Sequence, residues 1–376
     1  MARKTDWPAV LEHFALNGRL ISAEPYGSGH INDTLLVVVE KEGEEPAVRR
    51  YILQRMNDSI FTAPSALMEN VVNVTSFLRR KIEEEGGDPE RETLNIVPTK
   101  DGASFWTDPD KNYWRVYHFI EGASCYDQVR NPEDFYQSAL AFGRFQQMLS
   151  DYPAETLHET IPNFHNTPLR LADFGRAVAE DVCGRAGDVQ QEIRFILDRE
   201  QDTHILADML KRGELPLRVT HNDTKLNNVM IDDATGRGLC VIDLDTVMPG
   251  LAAHDYGDSI RFGASTAAED EPDLSKVSLD LELFESYTRG FLKGCGGSLT
   301  EAEVRMLPMG AKMMTLECGM RFLADYLQGD VYFKTHRAGQ NLDRCRTQLK
   351  LVKDMEEKWD QMSAVVDRVN RQTGCC

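Results

Sequence analysis

The first third of the chain carries apolar and polar positions in the order expected of β-strands. β-Branched and aromatic residues recur between glycine, aspartate and asparagine residues, a pattern typical of strands bounded by turns. It predicts strands at residues 20–26, 34–39, 51–56 and 113–120. Between them, residues 64–84 begin with a proline, repeat apolar side chains at helical spacing and end before two glycines, which predicts one long helix.

After residue 120 the pattern becomes mostly helical. Apolar side chains at helical spacing predict helices at residues 132–149, 169–183, 188–211, 279–292, 300–327 and 342–369. Two short apolar runs, 229–231 and 239–242, flank a turn-forming polar segment and are predicted as strands. We therefore predict an α+β, bilobal chain, with a small β-rich N-terminal lobe of residues 1–121 and a larger, mostly helical lobe of residues 122–376.

The composition is that of a globular protein. Hydrophobic residues make up 41% of the chain and charged residues 27%, which is close to the globular average. No apolar run approaches the roughly 20 residues of a membrane helix, so we expect a cytoplasmic protein without membrane contact. The formal charge of −19 argues against nucleic-acid binding, because that needs a basic surface. The eight cysteines show no C-x-x-C pair, which favours reduced thiols over a zinc site or a disulfide framework.

A glycine-containing turn, residues 26–30, separates the first two predicted strands. Gly27 and Gly29 would let backbone N–H groups approach phosphates without steric conflict. Alone the motif is weak, since such turns more often only connect strands. A strand rather than a helix follows, which excludes a Rossmann fingerprint, and the absence of Gly-Lys-Ser/Thr excludes a P-loop.

A second candidate is the polar stretch THNDTKLNN, residues 220–228. Asn228 lies five residues after Asp223, and Asp243, at the end of a predicted strand, lies twenty after it. Phosphoryl transfer needs an acid to orient the acceptor hydroxyl and accept its proton, and oxygen ligands to hold Mg²⁺. Each residue alone has an ordinary explanation, because Asp and Asn often cap loops. Together, in this order and spacing, they indicate a magnesium-dependent phosphotransfer site.

This stretch resembles the H-G-D-x-x-x-x-N catalytic loop of the aminoglycoside phosphotransferase and choline kinase superfamily, with Asn222 in place of the usual glycine. Ile242-Asp243 looks like the metal-binding I-D of that superfamily, and residues 254–258 look like its later helix-starting Asp. Longer stretches resemble the bacterial N-acetylhexosamine 1-kinases, at residues 24–32, 218–228, 242–246, 257–266 and 317–327. The resemblance implies a protein-kinase-like fold that transfers phosphate from ATP, with Mg²⁺, to the anomeric C1 hydroxyl of N-acetylglucosamine and N-acetylgalactosamine.

The same resemblance implies roles for individual residues. Asp223 would be the catalytic base, and Asn228 and Asp243 would hold the metal. The residues implied at the nucleotide are Gly27, Ser28, Gly29, Gln54, Phe119, Glu121 and Lys225. The residues implied at the sugar are His30, Asn32, Asp223, Arg321 and Tyr332. Adenine would meet main-chain groups of the segment between the lobes, residues 117–121.

One position departs from the kinase pattern. Kinases usually place a lysine on the third strand to pair with the nucleotide phosphates, and here the corresponding residue is Gln54. Arg55 cannot simply replace it, because neighbouring strand residues point to opposite faces. Lys225 is a candidate for the γ-phosphate, whereas the neutralisation of the α- and β-phosphates stays open.

Other interpretations stay open as well. An aminoglycoside kinase would share the loop, and the acidic surface would suit its polycationic substrates, but the stretches around His30 and Arg321 argue against it. A choline or homoserine kinase would need an aromatic cage or a basic carboxylate pocket that the sequence does not reveal. A non-catalytic nucleotide-binding homologue would explain Gln54, although the retained Asp223, Asn228 and Asp243 argue against it. We expect a monomer or a weak oligomer.

Overall fold

The computed structural model describes residues 7–16, 18–27, 31–41, 43 and 47–374. The strands of this part of the chain are β1 (Arg19–Pro25), β2 (Asp33–Glu40), β3 (Val48–Met56), β4 (Ile96–Val97), β5 (Trp106–Thr107), β6 (Tyr113–His118), β7 (Ala123–Ser124), β8 (Arg218–Thr220), β9 (Val229–Asp232), β10 (Gly238–Val241) and β11 (Met248–Gly250). The helices are α1 (Trp7–Leu11), α2 (Pro64–Glu84), α3 (Pro89–Glu92), α4 (Pro132–Met148), α5 (Thr167–Glu180), α6 (Gln190–Leu197), α7 (Glu200–Lys211), α8 (Ala252–Gly263), α9 (Leu281–Cys295), α10 (Glu301–Arg305), α11 (Leu307–Leu327), α12 (Gln340–Glu357) and α13 (Trp359–Thr373).

The chain forms two compact units, and the first consists of residues 1–123, 157–161 and 239–247. Its antiparallel sheet has the strand order β1-β2-β3-β6-β4, with β5 also paired to β6. Alternate positions of the central strands are buried in one apolar cluster with Phe14, as strand geometry requires. Thr34, Gln54 and Arg115 are opposed residues of three adjacent strands, so a polar row crosses the sheet at this level.

The second unit, residues 124–156, 162–238 and 248–376, is mostly helical. Glycines allow its helices to pack closely. A Cβ on Gly257 of α8 would lie 2.2 Å from the carbonyl oxygen of Gly310 in α11, and one on Gly143 of α4 would lie 2.3 Å from that of Phe291 in α9. Both helix pairs therefore require glycine at their contact, which fixes α8 against α11.

The predicted α+β, kinase-like fold class is confirmed, with an antiparallel sheet in the N-terminal lobe and helices in the C-terminal lobe. The predicted helix 64–84 matches α2. Three predicted helices were wrong in extent, because 188–211, 300–327 and 342–369 are each two helices. Pro308 lies in the first turn of α11, where its missing N–H costs nothing, so a helix starts there instead of continuing.

α8 was not among the helices predicted from periodicity, for a physical reason. All its residues except Phe262 are buried. The buried set includes the polar residues His254, Asp255, Asp258, Ser259 and Arg261, so hydrophobicity along the sequence does not indicate which residues of this helix face the protein interior. No helix among the described residues is long and apolar enough to cross a membrane. The six cysteines in that part of the chain form no disulfide.

Candidate active site

The stretch 220–228 forms a loop of the second unit between β8 and β9, and buried acids of α8 hold its backbone. Asp255 accepts hydrogen bonds from the N–H groups of His221, at 2.9 Å, and Asn222, at 2.7 Å. Asp258 accepts one from Thr224 N–H, at 3.0 Å. The loop conformation therefore depends on carboxylates that come later in the sequence, at the positions that resemble the superfamily's helix-starting Asp.

Asn222 shows why the superfamily usually has glycine at this position. Its φ is +64°, in the left-handed region that glycine and, less often, asparagine adopt. Its side-chain Oδ1 accepts a hydrogen bond from Thr220 Oγ1, at 2.9 Å, and its Nδ2 donates to the Thr220 carbonyl, at 3.2 Å. These local bonds let asparagine take the place of glycine.

Asp223, the predicted base, is partly exposed on this loop. Its Oδ2 accepts a hydrogen bond from Asn228 Nδ2, at 3.1 Å, and lies 3.1 Å from Lys225 Nζ. Asn228 Nδ2 also donates to the Asp223 carbonyl, at 2.8 Å. Within the described chain no residue donates to Asp223 Oδ1, so one carboxylate oxygen is held and the other accepts no hydrogen bond from the described residues.

Asn228, a predicted metal ligand, is only 6% exposed. Because its Nδ2 faces Asp223, its Oδ1 points elsewhere, and none of the residues described here donates a hydrogen bond to that oxygen. An amide oxygen is a hard ligand of the kind that Mg²⁺ prefers. The side chain therefore fits the predicted role.

Asp243, the other predicted metal ligand, lies in the first unit in a turn that follows β10. Its side chain is exposed and its φ is +60°. Two residues later, Asp245 is 2% exposed and accepts hydrogen bonds from Arg115 Nη1 and Nη2, at 2.5 and 2.8 Å, and from Asn32 Nδ2, at 2.7 Å. Burial alone would lower the pKa of Arg115, but the Asp245 carboxylate outweighs it and raises that pKa. Asp245 and Arg115 thus form a buried, doubly hydrogen-bonded ion pair.

Two residues with predicted ligand contacts belong to the same network. Gln54 donates from Nε2 to Thr34 Oγ1, at 3.1 Å, and accepts at Oε1 from Arg115 Nε, at 3.0 Å. Asn32 donates to Asp245 and accepts at Oδ1 from Asn57 N–H, at 3.0 Å. Both amides therefore already bond within the first unit. Sequence reasoning assigned no role to Arg115 or Asp245. The available signals were an arginine in an otherwise aromatic and apolar strand and, for Asp245, its place in the stretch 242–246 that carries the resemblance.

Arg321, predicted to bind the sugar, lies in α11 among aromatic rings. Its guanidinium carbon is 5.5, 5.8 and 5.4 Å from the ring centres of Phe164, Tyr332 and Phe333. It forms no ion pair or hydrogen bond with the described residues. The rings stabilise the charge of this guanidinium.

Tyr332 is held in place through its backbone. Asp325, which is 3% exposed, accepts hydrogen bonds from the N–H groups of Val331, Tyr332 and Phe333, at 2.9, 2.8 and 3.0 Å. The Tyr332 side chain itself is 59% exposed. One buried carboxylate thus fixes the segment that carries both rings over Arg321.

A second buried charge lies behind the catalytic loop. His165 Nδ1 is 2.9 Å from Glu317 Oε1, and its Nε2 is 3.2 Å from the carbonyl oxygen of Asn222. Burial alone would lower the pKa of His165, but the Glu317 carboxylate raises it overall. His254, 5.3 Å from His165 between ring centres, has its pKa lowered to about 3 by burial and by the charge of His165. Sequence reasoning missed this group, although Glu317 begins one of the stretches that carry the resemblance.

Residues 22–287 of the chain match the model of the phosphotransferase enzyme family APH. The chain belongs to this family. Its fold is similar to that of the microcompartment-associated aminopropanol kinase, with 17% identity, a TM-score of 0.57 and coverage of 94% of this chain and 97% of the other. It is also similar to choline kinase from Cryptosporidium parvum Iowa II, with 14% identity, a TM-score of 0.56 and 92% coverage of each chain. A third similar structure is the GDP complex of aminoglycoside 2'-phosphotransferase-IIIa, with 14% identity, a TM-score of 0.56 and coverage of 95% of this chain and 99% of the other.

The segment predicted to meet adenine, residues 117–121, is connected to β3 by contacts of Arg50. The guanidinium of Arg50 lies 4.1 Å from the ring centre of Phe119 and pairs with the Glu121 carboxylate. Phe119 N–H donates to the Arg50 carbonyl, at 3.2 Å, and the Glu121 carbonyl accepts from Arg91, at 3.0 Å. Gly27 has a φ of +78° with open space at its Cβ position. Ser28, Gly29 and His30 lie outside the described residues.

Proposed function

We propose that this phosphotransferase transfers the γ-phosphoryl group of ATP to the anomeric C1 hydroxyl of N-acetylglucosamine and N-acetylgalactosamine. The observation that carries the choice of substrate is Arg321, in the unit that also carries Asp223. Its guanidinium forms no ion pair or hydrogen bond with the described residues, although its charge interacts with the Glu317 carboxylate one helical turn earlier. Arg170 adds a second guanidinium nearby, and desolvation followed by the charge of Arg321 lowers its pKa. These two cations would repel choline or an aminoglycoside, whereas a neutral sugar offers oxygen acceptors to the guanidinium and apolar ring faces to the aromatic side chains.

Asp223 supplies the base in this proposal. Its Oδ2 is fixed by Asn228 and Lys225, so Oδ1 would accept the hydrogen bond of the C1 hydroxyl and then its proton. An anomeric hydroxyl is somewhat more acidic than an ordinary alcohol, and phosphoryl transfer depends mainly on position and charge neutralisation. A carboxylate held in one orientation meets that requirement.

Asn228 and Asp243 are the residues that would hold Mg²⁺. An amide oxygen without a hydrogen bond from the described residues and an exposed carboxylate form a donor set that suits a hard cation, which takes its other ligands from phosphates and water. When bound, the ion would neutralise charge on the transferring phosphate. Lys225, beside Asp223, is the cation we assign to the γ-phosphate.

The nucleotide is assigned to the N-terminal lobe, residues 1–121, and catalysis and sugar binding to residues 122–376. Gly27, Ser28 and Gly29 would approach the phosphates through their backbone N–H groups. The segment of Phe119 and Glu121 would bind adenine through main-chain groups that Arg50 and Arg91 leave available. We assign His30, Asn32 and Tyr332 to the sugar, with Arg321.

A coupled assay of ADP release tests the proposal with N-acetylglucosamine, N-acetylgalactosamine, glucose, choline and kanamycin as acceptors. We expect turnover with both N-acetylhexosamines and a product without a reducing end, because phosphate on C1 blocks it. Turnover with choline or kanamycin alone, or a phosphorylated sugar that still reduces, would contradict the proposal.

Arg321→Gln and Arg321→Lys are matched variants for the choice of substrate. Both should raise the KM for the sugar and leave the KM for ATP unchanged. The lysine variant should recover part of the loss, because it keeps the charge but not the planar set of donors. A gain of choline phosphorylation in Arg321→Gln would support charge repulsion as the basis of selectivity.

A further inference from the structure

The turn of residues 243–247 is fixed on several sides, although the side chain at its start is exposed. The Asp245 carbonyl accepts a hydrogen bond from Thr160 Oγ1, at 2.9 Å, and the Val247 carbonyl accepts one from Asn70 Nδ2, at 3.1 Å. The Asp245 side chain adds the ion pair with Arg115. The residues after Asp243 are therefore anchored both through backbone and through side chain.

Asp243 itself has a left-handed backbone without being glycine. A residue other than glycine keeps such a conformation only where the surrounding structure over-determines it, and such residues concentrate at functional sites. Its neighbours supply this constraint, because Leu244 and Asp245 are each only 2% exposed. The orientation of the Asp243 side chain thus follows from how firmly the next residues are held.

All three guanidinium nitrogens of Arg115 donate hydrogen bonds within the first unit. Nη1 and Nη2 donate to Asp245 and Nε donates to Gln54, and the residue is 1% exposed. Gln54, at the position of the usual kinase lysine, has both ends of its amide occupied. The positive charge that kinases carry on the third strand is here on the adjacent strand β6, paired with an acid.

We propose that Arg115 and Asp245 are positioning residues that set the orientation of Asp243 toward Mg²⁺. They act through the turn, by fixing the backbone on the C-terminal side of Asp243, and neither touches the phosphates. Asn32 belongs to the same device, because its bond to Asp245 ties the start of β2 to the turn. The inference rests on the proposed metal role of Asp243.

Arg115→Gln and Asp245→Asn test the proposal together with the double variant. Each single change should raise the Mg²⁺ concentration for half-maximal activity about 10–100-fold, as loss of residues that orient metal ligands does. Each should also weaken binding of Mn²⁺ with a non-hydrolysable ATP analogue, measured by electron paramagnetic resonance. In the double variant no buried charge is unpaired, so thermal stability should recover while the metal requirement stays high.

Arg199→Gln is the matched control. Arg199, which lies between α6 and α7, forms a doubly hydrogen-bonded pair with Glu356 of α12, at 2.8 and 2.6 Å, away from the turn in sequence. This variant should lose stability without a change in the Mg²⁺ requirement. If the Arg115 and Asp245 variants behave like it, the pair is structural only and the proposal is wrong.

Amide hydrogen exchange of residues 242–247 in metal-free protein separates this inference from the proposed function. Faster exchange there in Asp245→Asn than in Arg199→Gln supports the positioning role even if the wild type phosphorylates no N-acetylhexosamine, an outcome that would overturn the proposed function alone. Unchanged exchange in Asp245→Asn would overturn the inference, whatever the acceptor.

Discussion

The loop of residues 220–228 in the second unit and the Asp243 turn of the first unit are both held in place by a buried acid, but the two buried acids have different partners. Each segment presents an acid by means of a left-handed residue that is not glycine: Asn222 precedes Asp223 in the loop, whereas Asp243 is itself the left-handed residue of the turn. In the loop, Asp255 receives neutral backbone N–H groups, whereas in the turn Asp245 receives a guanidinium. The first arrangement orders backbone directly, and the second does so through a long-range charge pair.

This difference has an electrostatic consequence. Burial raises the pKa of Asp255 above its ordinary value, although the charge of His221 and backbone hydrogen bonds oppose the rise. Asp245 instead has the full charge of Arg115 beside it. An acid that accepts only neutral donors should tolerate loss of its charge better than one that compensates a buried cation.

Substitutions of Asp223 and Asp243 should differ first in their effect on catalysis. Asp223→Asn should reduce kcat about 10²–10⁴-fold, the usual contribution of a general base, and leave Mg-ATP binding intact. Asp243→Asn should instead raise the Mg²⁺ concentration needed for activity. Steady-state rates over a Mg²⁺ titration distinguish the two, and a shifted Mg²⁺ requirement in Asp223→Asn would contradict the division of roles.

Substitutions of the two buried acids, Asp245 and Asp255, should differ next in how much they destabilise the protein. Asp245→Asn leaves Arg115 buried without a counter-charge, which should lower the free energy of unfolding by about 3–5 kcal/mol. Asp255→Asn turns one acceptor oxygen into a donor and leaves a loop N–H without a partner, which should cost about 1–3 kcal/mol. Denaturant unfolding measures both values, and equal losses would remove the distinction between the two regions.

Gln54→Lys places the usual kinase lysine back on the third strand. Because Gln54 bonds to Thr34 and Arg115, the change should not increase activity and should lower the free energy of unfolding by about 1–3 kcal/mol for two lost hydrogen bonds. Gln54→Met is the control that loses the bonds without adding a charge. A lower KM for ATP in Gln54→Lys would show that this position faces the nucleotide.

Local pattern predicted those parts of the molecule that depend on nearby residues. Helix α2 has a proline at its start, regular apolar spacing and glycines at its end, so its bounds were readable. The spacing of Asp223 and Asn228 also indicated that they lie close together on one loop, and the two side chains are hydrogen-bonded there; their roles in catalysis stay predictions. The buried network of Arg115 was not predicted from local pattern, because its hydrogen bonds are to Gln54, 61 residues earlier, and to Asp245, 130 residues later.

The histidines behind the loop of residues 220–228, His165 and His254, give an effect on stability that depends on pH. His254 is neutral when folded, since its pKa is lowered to about 3 from an ordinary value of 6.5. Between these values the unfolded chain binds a proton that the folded chain does not, so stability is full above pH 6.5 and falls as the pH drops towards 3. His165, whose pKa is raised, has the opposite sign, and its contribution is lost as the pH rises above 6.5.

His254→Asn should therefore flatten the loss of stability on the acid side, where each unit of pKa change is worth about 1.4 kcal/mol. His165→Asn should flatten the alkaline side instead and weaken the contact with the Asn222 carbonyl. Unfolding midpoints in denaturant, measured across this pH range, give both slopes. If His254→Asn keeps the wild-type slope, buried acids such as Asp258, whose pKa is lowered mainly by Arg261 against its burial, account for the acid sensitivity instead.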